Sequence, residues 1–130
     1  YPRPASLPEW VQYYQKPNNL PALYNQHAIF LSASLGEGWA LPPAEAMACG
    51  CAVVCTDIGG HADYTKANET ALLIPTENTT AIITALTTLF DNKELRIQIA
   101  EKSRFQLLEK FNWDQSVTTS LNWFDSLQKG

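Results

Sequence analysis

Residues 28–60 read AIFLSASLGEGWALPPAEAMACGCAVVCTDIGG, and two short apolar runs stand out within them. Residues 28–31 and 52–55 are uninterrupted apolar runs bounded by small or turn-forming residues. Such runs are typical of strands in a parallel sheet that is covered on both faces. Between the two runs, residues 43–49 have helical character and end at Gly50. This segment therefore predicts a strand, a loop, a helix and a second strand.

The same alternation continues on both sides of this segment. Further strands are predicted at residues 10–14 and 71–74, and short helices are predicted at residues 20–25 and 61–66. Because strands and helices alternate, right-handed crossovers and a parallel sheet are expected. The predicted fold class is α/β, with a Rossmann-like parallel sheet and flanking helices.

Residues 79–130 differ from the rest because their apolar residues recur with helical spacing. The first stripe consists of Ile82, Leu86, Leu89 and Phe90. A second helix is predicted at residues 94–110, with Leu95, Ile99 and Leu108 facing inward. The last and clearest stripe consists of Trp113, Val117, Leu121, Phe124 and Leu127. We interpret these stripes as core-filling faces, and residues 1–130 as a single domain whose helical carboxyl-terminal part is residues 79–130.

The charge balance of the chain argues against a nucleic-acid-binding protein. Nine Lys and Arg residues against 13 Asp and Glu residues give a formal net charge of −4. Binding to phosphate backbones needs a basic face instead. No apolar run approaches the roughly 20 residues needed to cross a bilayer, and the proline-broken start does not resemble a signal peptide. We expect a cytoplasmic protein, and peripheral membrane association only in a full-length form.

Three cysteines, Cys49, Cys51 and Cys55, lie near His61 in the sequence, and these four residue types could bind zinc. Their spacing does not match paired C-x2-C knuckles, and an apolar strand is predicted between them. We interpret them as small core residues in a reducing compartment, and we expect no bound metal.

The loop at residues 32–40 follows a predicted buried strand, which is where open α/β sheets bind ligands. Free backbone N–H groups and the positive end of the following helix dipole favour phosphate oxygens there. Gly38 allows a ligand to approach the backbone closely. Since residues 32–50 contain no Lys or Arg, a bound pyrophosphate would depend on amides or on basic groups elsewhere.

Two carboxylates, Glu37 and Glu45, lie at this loop and in the helix that follows it. An ionised carboxylate only accepts hydrogen bonds, so it suits the vicinal hydroxyls of a sugar or ribose. The alternative is that Glu45 is a solvated helix residue and Glu37 a loop charge. Gly59 and Gly60 follow the next strand at the same edge of the sheet, where they form either part of the site or a plain turn.

Residues 37–50 (EGWALPPAEAMACG), followed by AVV at 52–54 and DIGG at 57–60, resemble the group 1 glycosyltransferases, retaining enzymes of the GT-B fold. The family hallmark is two glutamates separated by seven residues, a small-residue helix, a Gly-x-Pro-Val-Val strand and a Gly-Gly turn. Flanking segments also resemble the family, at residues 20–24, 70–75 and 111–113. The resemblance covers almost the whole chain and implies the carboxyl-terminal, nucleotide-sugar-binding domain of a two-domain enzyme.

By position in the motif, the resemblance implies that Glu37 contacts the donor sugar and acts on the charge that develops at its anomeric carbon. Glu37 is therefore the catalytic candidate, and Glu45 is implied to hold the ribose hydroxyls. The remaining implied donor-binding residues are Gly38, Trp39, Ala40 and Leu41, through their amides, and Gly59 and Gly60 at the rim. The family binds its nucleotide-sugar donor without a metal, so no cofactor is implied.

Family members also carry upstream Arg and Lys residues that neutralise the diphosphate, and an amino-terminal acceptor domain. Neither fits before Tyr1, so we expect an amino-terminally truncated fragment that does not transfer sugar alone. Its acceptor, a glycan or a lipid, would bind the missing domain. The predicted strands at residues 10–14 and 28–31 also lack their family neighbours, and an exposed apolar edge invites pairing. We therefore expect the chain to self-associate or to rearrange this edge of the sheet. A chain that sediments as a monomer and has the full strand order of the family would contradict this expectation.

Two other interpretations stay open at this point. One is a non-catalytic nucleotide-binding or interaction module, because a fold alone does not fix a function. The other is a generic doubly wound domain, although the chain has no G-x-G-x-x-G and no acidic pocket after its first strand.

Overall fold

The computed structural model describes residues 2–128, in which parallel strands and helices alternate as far as residue 91 and two further helices follow. The elements, in chain order, are α1 (Leu20–Asn25), β1 (Ile29–Ser32), α2 (Leu41–Ala48), β2 (Ala52–Thr56), a 3-10 turn (Gly59–His61), β3 (Leu72–Ile74), α3 (Thr79–Asp91), α4 (Lys93–Lys110) and α5 (Trp113–Gln128).

The sheet of the described residues has the order β1-β2-β3, and both strand pairs are parallel. Phe30 pairs with Val53, and Val54 pairs with Leu72. Every residue of the central strand β2 is buried. The α/β class with a parallel sheet and flanking helices is therefore confirmed.

Side chains of β2 alternate between two apolar cores. Val53 and Cys55 belong to one core together with Met47 of α2. Val54 belongs to the other core, which includes Leu89 of α3 and residues of α4. Burial on both faces is what a continuous apolar run requires of a parallel strand, because helices cover the sheet on each side.

Asparagine side chains start three of the helices. Asn19 Oδ1 accepts a hydrogen bond from the Ala22 amide at 3.0 Å, which caps α1. Asn78 and Asn92 cap α3 and α4 in the same way. Each cap satisfies an amide that the first helical turn leaves without a backbone partner.

Residues 10–14 are not a strand, so this prediction is wrong. They form turns and irregular backbone, and Trp10 is 85% exposed. A strand needs a neighbour to accept and donate its ladder hydrogen bonds, and no strand of the described residues pairs with the edge of β1 that faces away from β2. The segment instead lies beside α1 and β1, where its residues line an open cleft with Tyr24 and Phe30.

The helix predicted at residues 61–66 does not form, so this prediction is also wrong. A 3-10 turn covers Gly59–His61, and hydrogen-bonded turns follow it. The amides of Tyr64 and Thr65 both donate to the His61 carbonyl, after which the Thr70 side chain accepts from the Lys66 amide. These local bonds replace the regular ladder that a helix would need.

The apolar stripe of α5 does not fill the core, which corrects our interpretation. None of its residues is buried, and Trp113 is 85% exposed. Phe90 and Leu108, predicted to face inward, are exposed as well. Helical periodicity identifies an apolar face but does not specify what covers that face. In contrast, Leu89 and Ile99 are buried as predicted.

Buried thiols and a half-buried phenol make the fold sensitive to high pH. Burial raises the pKa of Cys55 from 9.0 to about 12 and that of Cys51 to about 11. Burial, and then the charge of Glu45, raise the pKa of Tyr24 from 10.0 to about 12. Because the unfolded chain releases these protons first, the free energy of unfolding should fall as pH rises from 9 to 12. Urea unfolding under reducing conditions at each pH measures this.

The Cys55→Ala variant provides the control for this pH dependence. Since it lacks the most strongly shifted thiol, its free energy of unfolding should fall less steeply above pH 9 than that of the unmodified chain. Parallel curves for the two proteins would contradict the assignment of the effect to Cys55.

Candidate functional site

Two turns meet where β1 and β2 end. The loop after β1 carries Glu37, and the turn after β2 begins at Gly59 and Gly60. The Ala40 amide donates to the Gly60 carbonyl at 3.2 Å. A Cβ atom at residue 60 would lie 2.7 Å from the Glu37 carbonyl oxygen and 2.8 Å from its Cβ. Residue 60 must therefore be glycine for the two turns to pack this closely.

Glu37 is exposed, and a neighbouring hydroxyl holds its carboxylate. Ser34 Oγ donates to Glu37 Oε1 at 2.9 Å. The Ser34 carbonyl in turn accepts from Thr56 Oγ1 at 2.6 Å, which ties the loop to the end of β2. The carboxylate is thus accessible to a ligand while one of its oxygens has a fixed partner.

Glu45 lies on α2 and is also exposed. Its Oε2 accepts a hydrogen bond from the Tyr24 hydroxyl at 3.2 Å. The Tyr24 ring packs edge-on against Phe30, with ring centres 5.7 Å apart, and the Cys51 thiol donates to the Tyr24 carbonyl at 3.3 Å. The Tyr24 side chain that contacts Glu45 therefore packs on β1, and its backbone is hydrogen-bonded to the residue before β2.

The amino terminus of α2 offers fewer amide donors than the sequence suggested. Pro42 and Pro43 have no N–H, and the Ala40 amide is already bonded to the Gly60 carbonyl. Within the described part of the chain, the amides of Gly38, Trp39 and Leu41 make no hydrogen bond to protein. These three amides are therefore available as neutral donors to an anion.

An aromatic cluster packs around Trp39 at the end of this loop. The Trp39 ring packs edge-on against Tyr64 and Phe111, at 5.0 Å and 5.4 Å between ring centres. Tyr64 is buried, and its hydroxyl donates to the Ala40 carbonyl at 2.7 Å. A tyrosine phenol is neutral at physiological pH, and burial raises the pKa of Tyr64 further above its usual value, so the hydroxyl remains a donor well into alkaline pH.

The structure thus brings Glu37, Gly38, Trp39 and Gly60 together around one pair of turns, and places Glu45 on the helix that follows. Gly59 lies beside Gly60 and has open space around it. Sequence reasoning missed the roles of Ser34 and Tyr24. Ser34 is three residues before Glu37, so a hydrogen bond between their side chains could have been inferred from sequence. Tyr24 is 21 residues from Glu45, and no local pattern indicates that contact.

Residues 2–128 contain neither a metal-binding cluster nor a membrane-spanning helix. No group of three or more His, Cys, Asp or Glu side chains among residues 2–128 has an arrangement that could hold a metal ion. No helix in the same residues is long and apolar enough to span a membrane.

The profile of the glycosyl transferases group 1 family matches residues 6–106 of this chain. The chain belongs to that family. This group 1 domain is 24% identical over 127 residues to the lipopolysaccharide core biosynthesis mannosyltransferase LpsB of Rhizobium meliloti (strain 1021). The match covers 96% of the domain but only 36% of LpsB, so the chain spans about a third of that relative's length.

Solved structures place the group 1 domain among the GT-B glycosyltransferases. The C-terminal domain of a group 1 glycosyl transferase, LpcC from Francisella tularensis, superposes with a TM-score of 0.71 at 28% identity, covering 79% of this chain and 53% of that one. Anabaena HepE, solved in complex with UDP-glucose, superposes with a TM-score of 0.72 at 19% identity, covering 85% of this chain and 30% of HepE. At 19% identity, the similarity to HepE shows a shared fold alone.

Proposed function

We propose that this chain is part of the donor-binding domain of a glycosyltransferase that transfers a sugar from a nucleoside diphosphate sugar with retention of anomeric configuration. The observation that carries the proposal is the pair of exposed carboxylates, Glu45 on α2 and Glu37 in the loop at the carboxyl edge of the sheet, each of which accepts a hydrogen bond from a hydroxyl. Ligands of open α/β sheets bind at this edge. The UDP-glucose complex of HepE, a protein of the same fold, supports the choice of ligand.

In this proposal each part of the site has one task. Glu45 accepts hydrogen bonds from the ribose hydroxyls, and Glu37 contacts the donor sugar near its reacting carbon. The amides of Gly38, Trp39 and Leu41 donate to the diphosphate and sugar, and they stabilise the charge that grows on the leaving diphosphate. Ala40 contributes indirectly, because its amide holds the Gly60 turn against the loop. No metal is assigned to the donor site.

The acceptor and the transfer step are assigned to a longer protein. The loop and α2 contain no Lys or Arg at residues 32–50, so we propose that basic groups outside this segment neutralise the diphosphate. LpsB is almost three times the length that this chain matches, which supports a further region for a glycan or lipid acceptor. We propose that the 130 residues alone do not transfer sugar. A cytoplasmic location, peripheral membrane association and self-association stay predictions.

Nucleotide binding tests this proposal directly. UDP, GDP and ADP, each with its sugar conjugate, are titrated into the chain by calorimetry or followed by ligand-observed NMR. We expect one nucleoside diphosphate to bind and its sugar conjugate to compete with it for the same site. The proposal fails if none of them binds either to this chain or to the chain extended upstream to include basic residues. Binding only by the extended protein would assign the diphosphate contacts to those residues.

A non-catalytic nucleotide-binding or interaction module of the same fold is the second candidate. The absence of a cation from residues 32–50 favours it, since a transferase must stabilise a leaving diphosphate. The sugar group separates the two candidates. A module that recognises only the nucleotide binds a nucleoside diphosphate and its sugar conjugate equally, and Glu37→Gln changes neither affinity.

A further inference from the structure

Three hydrogen bonds connect the exposed carboxylate of Glu37 to the buried end of β2. Ser34 Oγ donates to Glu37 Oε1 at 2.9 Å, and Thr56 Oγ1 donates to the Ser34 carbonyl at 2.6 Å. The Thr56 carbonyl accepts from His61 Nδ1 at 2.9 Å. Because a carbonyl only accepts, Nδ1 carries the hydrogen in this contact.

The inner end of this chain of contacts is buried, while the outer end is exposed to solvent. Thr56 and His61 are each 1% exposed. The buried Nε2 of His61 has no protein partner among residues 2–128, so the bond from Nδ1 sets the orientation of the ring. Glu37, in contrast, is exposed, and a free glutamate side chain has several rotamers that binding must restrict. Ser34 is the group through which the buried end restrains the exposed one.

We propose that Ser34 is a positioning residue that fixes the Glu37 carboxylate for recognition of the donor sugar, and that Thr56 and His61 hold Ser34 in place. The inference rests on the proposed function, in which Glu37 contacts the sugar and Glu45 the ribose. A hydrogen bond to an ionised acceptor is stronger than a neutral one, which suits it to this restraint. With one carboxylate oxygen occupied by Ser34, the other remains free for a sugar hydroxyl.

The positioning role makes a different prediction from a purely structural one. A residue that only stabilises the loop would, when replaced, weaken the binding of nucleotide and nucleotide sugar alike. A residue that acts through Glu37 would weaken only the part of the affinity that depends on the sugar. Replacing such a residue would also have no further effect on affinity in a variant that already lacks the Glu37 side chain.

The test measures dissociation constants of UDP, UDP-glucose, GDP and GDP-mannose for the chain and for Ser34→Ala, Ser34→Thr, Glu37→Ala and the Ser34→Ala/Glu37→Ala double variant. Ser116→Ala on the exposed helix α5 is the matched control, because it also removes a donating serine hydroxyl, whose acceptor there is the Asn112 backbone carbonyl. For the pair that binds, Ser34→Ala should weaken the sugar conjugate about fivefold and the nucleoside diphosphate less than twofold. Ser34→Thr, which keeps a hydroxyl, should restore the affinity to within about twofold of the unmodified chain.

Three outcomes would overturn the inference. One is an equal loss for nucleotide and nucleotide sugar in Ser34→Ala, and another is no loss for either. The third is a further fivefold loss when Ser34→Ala is added to Glu37→Ala, because the serine would then act independently of the carboxylate. Failure of both this chain and the upstream-extended chain to bind any of the nucleotides or their sugar conjugates would remove the proposed function and this inference with it. Binding of the unmodified chain with an unresponsive Ser34→Ala removes the inference alone.

Discussion

Replacement of Glu45 by alanine is expected to weaken nucleoside diphosphate binding by about tenfold or more. A lost hydrogen bond from a ribose hydroxyl to a charged carboxylate accounts for the ~1.4 kcal/mol that this factor represents. Tyr24→Phe leaves the carboxylate in place but removes the hydroxyl that contacts it at 3.2 Å, so its loss should be smaller, about threefold. Calorimetric titration of the nucleotide identified for the chain measures both effects.

Two controls make this expectation specific to the ribose. Glu101→Ala removes another exposed helical glutamate, on α4, and should leave the affinity unchanged. The 2′-deoxy form of the nucleotide should bind the unmodified chain less tightly than the ribose form, whereas Glu45→Ala should bind the two equally. If Glu45→Ala keeps the full preference for the ribose form, the assignment of Glu45 to the ribose is wrong.

Gly60→Ala is expected to damage both the stability of the fold and the sugar-dependent part of binding. The added methyl group would lie 2.7 Å from the Glu37 carbonyl oxygen and 2.8 Å from the Glu37 Cβ. Since the nearest atom belongs to backbone, the conflict moves one of the two turns rather than a flexible side chain. Overpacking of this kind costs about 1–3 kcal/mol. The displaced turn carries Glu37, so affinity for the nucleotide sugar should fall more than affinity for the nucleoside diphosphate.

Gly59→Ala is the matched control for this variant. A Cβ atom at residue 59 has nothing within 4 Å, and residue 59 is exposed. Urea unfolding should therefore separate the two variants, with Gly59→Ala close to the unmodified chain. Equal unfolding midpoints for Gly60→Ala and Gly59→Ala would show that the turns have room that the structure does not display.

The parts of the fold that were predictable from sequence are those where burial leaves a local pattern. The apolar runs at residues 28–31, 52–55 and 71–74 correspond to β1, β2 and β3. Burial on both faces explains the run of β2, whereas β1 was predicted to be buried and has no buried residue, with Leu31 39% exposed. The helix predicted at residues 94–110 matches α4 to within one residue.

The errors arose where a local pattern depends on a neighbour that sequence does not specify. Residues 10–14 have strand-like composition, but a strand exists only with a partner, and none of the described strands pairs with them. The stripe of α5 is amphipathic, yet periodicity alone does not reveal whether another element packs on it. In both cases burial depends on which elements lie nearby, so a prediction from composition overestimated how much of these side chains is buried.

In the candidate site, too, some residues follow from a local sequence pattern and others depend on the fold. Glu37, Glu45 and the Gly-Gly turn follow from an ordered motif, and Gly60 in particular has a steric reason to be glycine. The hydroxyl partners were less accessible to sequence reasoning, because serine and tyrosine are common and their hydrogen bonds depend on three-dimensional placement. The sequence also indicated that Pro42 and Pro43 suit a helix start, but it did not reveal how few amides would remain free.

The paired prolines at the start of α2 also affect the unfolded chain. A proline ring fixes φ near the helical value before any folding occurs, so Pro42 and Pro43 have fewer conformations to lose than other residues would. The backbone entropy lost on forming the first turn of α2 is correspondingly smaller. The first turn of α2 is therefore partly determined by covalent geometry, so this helix start does not need a bound ligand in order to form.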